Sequence, residues 1–287
     1  MQATDPTPAI MTTDQIIPRD IRFNVSRYAT RNWLCGDPDQ TAFVDGLSAL
    51  LPEGERYFVK AVRHYQDSIT DPDLRERVTR FVAQETNHSR EHIDYNNGMR
   101  NLGYNVDVME ARLRAKLDIT KSPLVRLAVT CCIEHFTAIF SDQVLRHSSY
   151  LERAPVAYRE IWQWHALEEL EHKAVPFDVF TFVTRDMPAW KRYVFRTAVM
   201  LKLTKNFIVQ LYSNVRDIFH TDGKKLTLMT WIRWLWKMAY NPGLVRRSLP
   251  NYFRYYLPGF HPEDCTDKEL MQRWRENYHP AAVTENQ

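Results

Sequence analysis

Two polar triplets, each set into an apolar helical stripe, limit what this chain can fold into more than any other feature. Leu74, Val78, Phe81, Glu85, His88, His92 and Tyr95 follow one another in alternating steps of four and three, the spacing of a single helix face. Tyr158, Trp162, His165, Glu169, His172, Pro176, Val179 and Val183 do much the same. Charged side chains in line with core residues are turned inward, and a buried carboxylate needs a partner or a metal.

Two further stripes carry one glutamate each. Glu55 lies with Val59, Val62 and Gln66 on a helix predicted from about 53 to 69, with Pro52 in the preceding turn. Glu134 lies with Leu127, Cys131, Ala138, Ser141 and Leu145 on a helix that Ser122-Pro123 opens and that runs to about Tyr150. A lone Glu-x-x-His most often faces solvent. Here two such pairs alternate with two single glutamates, at separations that suit a long helix, a short turn and a return to the same depth. That is the ligand pattern of a four-helix, two-metal carboxylate site. The expected ligands are Glu55, Glu85, His88, Glu134, His165, Glu169 and His172, with Glu85 and Glu169 bridging. His165 is read as a seventh ligand ahead of a hydrogen-bonded neighbour of the metal, and for His92 the preference is reversed. Glu168, four before His172, is the alternative to Glu169, and Glu171 should face outward. His64 and His135 fall off the stripes as surface or packing residues, and His261 reads as a turn residue. Carboxylate with imidazole favours two iron ions, then manganese, over zinc or magnesium. Small Cys131 and Ala138 predict a hollow beside Glu134, and Pro176 predicts a kink or bulge one turn after His172.

The remaining sequence organises around this bundle. Eight glycines in 287 residues and few alternating runs argue for helices throughout. Asp37-Pro38 caps a short helix predicted over about 39 to 50, residues 19 to 36 form a lead-in, and another linking segment precedes Ser122. The domain reading is a disordered N-terminus over 1–18, the metal-binding bundle over 19–185, and a basic aromatic helical extension over 186–287 packed on it. Four cysteines without Cys-x-x-Cys spacing, no secretion-type leader and no uncharged apolar run of membrane length place the expected protein in the cytoplasm. The net charge of only +3 hides an asymmetry: residues 186–262 hold thirteen basic and three acidic side chains, interleaved with Trp and Tyr. Such helices pack on the bundle, form a homodimer interface, or touch the inner face of a membrane peripherally. No nucleic-acid motif accompanies the charge.

At these same residues the chain resembles a known family, the predicted metal-dependent hydrolases of ferritin-like type. The likeness spans about 18 to 262 and is carried by Pro52-Glu53-Gly54-Glu55-Arg56 with Phe58, Glu85-Thr86-Asn87-His88 with His92, Glu134-His135-Phe136, Trp164-His165 through Glu169-Leu170-Glu171-His172-Lys173, and Tyr256 through Pro262. It implies an all-α fold, a ferritin-like four-helix bundle with extra C-terminal helices. The trio His165, Glu169 and His172 is also similar to the extra-histidine site of di-iron arylamine N-oxygenases, which implies oxygen activation. Pro176 departs from both. The leading expectation is therefore a non-haem di-iron oxidase or oxygenase that uses dioxygen and an electron-donor protein on an apolar or lipid-like small molecule. A di-metal hydrolase with a bridging hydroxide is the first alternative. A ferroxidase or peroxide scavenger is the second, and a membrane-associated scaffold with a structural metal is the non-enzymatic one.

Overall fold

The computed structural model describes residues 16–119, 122–240, 243–265 and 268–279. Among these the fold is all helical, with α1 Pro38–Ser48, α2 Leu51–Gln66, α3 Pro72–Asn101, α4 Val106–Asp118, α5 Pro123–Arg146, α6 Val156–His172, α7 Val175–Val183, α8 Ala189–Thr221, α9 Leu228–Tyr240, α10 Leu244–Arg254 and α11 Lys268–Asn277. The starts follow from the caps. Asp37, Asp71 and Ser122 each accept backbone N–H bonds from the first turn, and a proline follows each, where a missing N–H costs nothing.

Helices α2, α3, α5 and α6 form the bundle, α2 packing on α3 and α5 on α6, with contacts across α2–α5 and α3–α6. The stretch between α3 and α5 is more than a linker: α4 spans most of it and packs on α2, α3 and α8. One long crossover between two hairpins is the ferritin-like connectivity. The fourth helix is broken as Pro176 demands. α6 stops at His172 and α7 begins at Val175, with the proline in its first turn. α5 is long and apolar enough to cross a membrane by length and composition, yet its neighbours are α2, α6, α7, α8 and α10.

The lead-in is a strap that is itself part of the core. Phe23, Val25, Trp33 and Leu34 are buried, and Ile16 packs with the α2–α3 hydrophobic cluster. The predicted disorder thus stops short of Ile16 to Pro18, while 1–15 lie outside the described residues. Glu171, expected on the outside, is buried. The reason is the strap: Arg19 Nη2 donates to Glu171 Oε1 at 2.9 Å, Ile17 N and Gln84 Nε2 donate to Oε2 at 3.2 and 3.0 Å, and Arg275 of α11 donates to Oε1 at 2.9 Å. A helix face that would meet water in a bare bundle is covered by two segments distant in sequence.

The basic helices lie over the opposite flank, α8 on α1, α4 and α5, α9 on α1 and α10, and α10 on α5. Part of their charge is used in docking. Asp39 at the start of α1 meets Lys224 at 2.6 Å, Lys237 at 3.0 Å and Arg233 at 3.1 Å. The strap crosses α3 closely at Gly98, where a Cβ would lie 3.0 Å from Ala29 Cβ and 3.1 Å from Ser26 Cα. Backbone cannot yield as a side-chain tip can, so Gly98→Val is expected to destabilise the fold by about 1–3 kcal/mol, read as a lower Tm with unchanged helical circular dichroism.

Candidate metal centre

Four helices bring seven side chains to one buried place: Glu55 from α2, Glu85 and His88 from α3, Glu134 from α5, and His165, Glu169 and His172 from α6. His165, the most accessible of them, is 4 % exposed. Donor atoms of Glu55, His88 and His165 lie within 4.8 Å of one another, as do those of Glu85, His88 and Glu169, and those of Glu85, Glu134 and His172. The groups run together. Glu85 Oε1 is 3.0 Å from His172 Nε2 and 3.8 Å from His88 Nδ1. Glu169 reaches the same two rings with its two oxygens, each at 3.5 Å.

Each imidazole is held by one nitrogen and presents the other. His88 Nε2 lies 3.1 Å from Glu168 Oε2, which leaves Nδ1 toward the carboxylates. His172 Nδ1 lies 2.9 Å from Gln84 Oε1, which leaves Nε2. His165 Nδ1 meets His92 Nε2 at 3.2 Å, and His92 Nδ1 meets Ser48 Oγ at 3.0 Å. His165 Nε2 is then 3.2 Å from Glu169 Oε1. Outer partners of this kind fix ring orientation at metal sites. Glu168 therefore stands behind His88, where Trp164 Nε1 and Arg19 N also donate to it at 3.1 and 2.9 Å. His92 stands behind His165 in the same way.

The inner atoms are left without hydrogen bonds. Both oxygens of Glu55, Glu85 and Glu134, with Glu169 Oε2, His88 Nδ1 and His172 Nε2, are buried and make none. Polar atoms so placed normally find partners, and burying charge without them costs several kcal/mol per group, on the order of the whole stability of a domain when summed. A donor set of carboxylate and imidazole aimed at common points fits a metal cation. A family of predicted metal-dependent hydrolases matches residues 17–266, a span that takes in all seven. The chain belongs to this family. No curated protein and no solved structure matches it.

In this member of the predicted metal-dependent hydrolase family, burial and the neighbouring charges shift proton affinities across the cluster. Burial, and then Glu85, raises Glu55 well above the usual carboxylate range, and burial with Glu169 and Glu85 does the same to Glu134 against the pull of His172. Burial raises Glu85 as well. Burial also acts to raise Glu169, but His172 and His165 outweigh it and hold that carboxylate well below the usual range. Against burial, Glu168 and Glu169 push His88 up to about 10, and Glu169 and Glu134 raise His172. Burial lowers His165 to about 3, with His88 adding to it.

A cavity of about 260 Å³ adjoins the cluster and has His165 in its wall. Its walls are mainly apolar, with Phe58 of α2, Ile133, Phe136 and Phe140 of α5, and Leu203 and Phe207 of α8. The expected hollow exists, but Cys131 and Ala138 do not line it. They pack into hydrophobic clusters instead, and the hollow lies on the neighbouring face of α5 with Thr137 and Ser141. Of the histidines off the stripes, His135 is buried and bonds Asn251 O at 3.0 Å, His64 is exposed, and His261 pairs with Asp178 at 2.9 Å. Gln84, Ser48 and Arg19 were invisible to periodicity, because each is defined by what it meets across the fold.

Gln84→Met keeps the shape of the side chain and removes the acceptor for His172. It is expected to weaken metal binding about 10–100-fold, measured by competition with a chromophoric chelator. Metal binds only deprotonated donors, so protons must leave Glu55, Glu85, Glu134, His88 and His172, whose affinities for them are raised. Binding therefore strengthens as pH rises, and added Zn²⁺ or Mn²⁺ should raise Tm more at about pH 8 than at about pH 6.

Proposed function

We propose that this protein is a metal-dependent hydrolase that cleaves an ester- or amide-type bond in an apolar substrate. The metal would be two divalent cations held by Glu55, Glu85, His88, Glu134, His165, Glu169 and His172. One observation carries the reading: His165 belongs at once to the donor cluster, with Glu55 and His88, and to the wall of the apolar cavity. A molecule filling that cavity ends where the donors converge. Membership of the hydrolase family supports hydrolysis as the reaction class.

Bound cations would supply Lewis acidity and an activated water. The chain's own contribution is positional. Phe58, Phe136, Phe140 and Phe207 hold an apolar chain and exclude bulk water, which strengthens every electrostatic interaction at the donors. Ser141, a polar group of the α5 wall, can donate a hydrogen bond to a carbonyl. Thr137 Oγ1 donates to Glu134 O at 3.1 Å, so its lone pairs face outward as acceptors while the hydroxyl proton is fixed. Glu168, Gln84 and His92 keep the imidazoles aimed.

Oxidation is the second reading, and one observation favours it. The donor set is carboxylate and imidazole throughout, with Cys131 and Cys132 buried elsewhere, which suits iron as well as zinc or manganese.

Turnover of nitrophenyl esters of increasing chain length decides between them. Hydrolysis is expected under argon with the protein loaded with Zn²⁺ or Mn²⁺. Turnover that requires iron and dioxygen, with oxygen incorporated into product, would replace hydrolysis by oxidation. In either case Thr137→Phe, which fills the cavity, is expected to raise KM at least about tenfold with the metal retained, a loss comparable to displacing a good part of a bound apolar chain.

A further inference from the structure

The outer surface of α9 is apolar although it faces solvent. This helix is apolar on two sides. Trp231, Trp234 and Met238 face inward, Trp231 stacking near Tyr212 of α8 and Trp234 near Phe43 of α1. Leu228, Met229, Ile232, Leu235, Trp236 and Tyr240 repeat at helical spacing on the outside and are exposed, Leu228 at 77 % and Trp236 at 60 %. Trp236 and Tyr240 stack on each other at 4.3 Å, so the pair is presented as a rigid aromatic plate. Exposed Leu249 and Phe253 of α10, the helix packed beside α9, and Ile208 of α8, one turn from the Tyr212 that meets Trp231, add further apolar surface. A contiguous patch of this kind on a soluble fold marks a contact surface.

Charge says what it contacts. The segment 186–262 carries thirteen basic and three acidic residues. Lys224, Arg233 and Lys237 are neutralised by Asp37 and Asp39, but Lys202, Lys205, Lys225, Arg246 and Arg247 make no salt bridge among the described residues. A second copy of this chain docking symmetrically through the patch would set these cations against themselves. An anionic bilayer meets both halves of the surface: aromatic and aliphatic side chains sink to the level of the headgroups, and the lysines and arginines lie against phosphate. We propose that the outer face of α9, flanked by α8 and α10, is a peripheral docking surface for an anionic lipid bilayer.

The surface is separate from the metal donors, so the full-length protein can be tested whatever reaction it catalyses. The measurement is co-sedimentation with vesicles of phosphatidylcholine alone and of phosphatidylcholine with about one third phosphatidylglycerol. Binding is expected to the anionic vesicles, at least about tenfold stronger than to the neutral ones, and to weaken in high salt as screening shortens the reach of the charges. Leu235→Glu and Trp236→Glu, each at an exposed position and thus expected to leave the Tm unchanged, should reduce it by at least about tenfold each, because a carboxylate would be pressed into the headgroup layer. Failure of the unaltered protein to bind anionic vesicles at low salt overturns the proposal. So does a change from dimer to monomer in Leu235→Glu without any loss of vesicle binding, which would assign the patch to a second copy.

Discussion

Four carboxylates and three imidazoles are buried at one point with most of their inner atoms making no hydrogen bond, and the rest of the structure can be understood as what makes that tolerable. A charge removed from water must be met by another charge, by hydrogen bonds or by a cation. The same balance raises the proton affinities of Glu55, Glu134, His88 and His172. With metal, the same atoms become donors, and folding and binding draw on one free energy. The bundle supplies rigidity: the donors are carried on packed helices α2, α3, α5 and α6, with His172 at the last residue of α6 held by Gln84.

Behind the donors lies a layer that carries no chemistry of its own and yet decides the geometry. Glu168, Gln84 and His92 hold the three rings, and they are themselves held. Arg19 reaches Glu168 and Glu171, Gln84 donates to Glu171, and Ser48 meets His92. Glu171 joins the strap, α3, α6 and α11 at one side chain. Its neighbour Glu168 and the ligand candidate Glu169 share its residue type and differ only in the direction each faces. Three glutamates within four residues of α6 thus take three roles from the helical rotation between them.

The C-terminal helices show the same division of labour for charge. A strongly basic segment on an acidic body is partly spent on internal attachment, through Asp37 and Asp39, and partly left outside, on α8 and α10. The inner apolar side of α9 completes a core cluster, while its outer side is left in water. Alongside, α8 walls the apolar cavity that runs to His165, so one long helix contributes to both the enclosed space and the outer surface.

Much of the bundle was readable without coordinates. Alternating steps of four and three through Glu85–His88 and Glu169–His172 specify inward faces, and the Asp-Pro and Ser-Pro starts specify where helices begin, because both effects are local to a few turns. The break after His172 followed from Pro176 for the same reason. What periodicity could not reach was any property set by a partner far along the chain. Glu171 was placed outside because nothing on α6 reveals that Arg19 and Arg275 cover it, and α4 passed as a linker because its few buried positions leave a weak stripe. Small residues on α5 predict a hollow beside Glu134, yet it opens along Thr137 and Ser141, with residues of α8 in its wall. The sequence alone determined which side chains turn inward and in what order, since helix geometry depends on neighbours three and four apart. Only the tertiary structure decided which of them stand in front as donors and which stand behind, since that depends on packing between helices far apart in the sequence, 80 residues for His88 and Glu168 and 88 for Gln84 and His172.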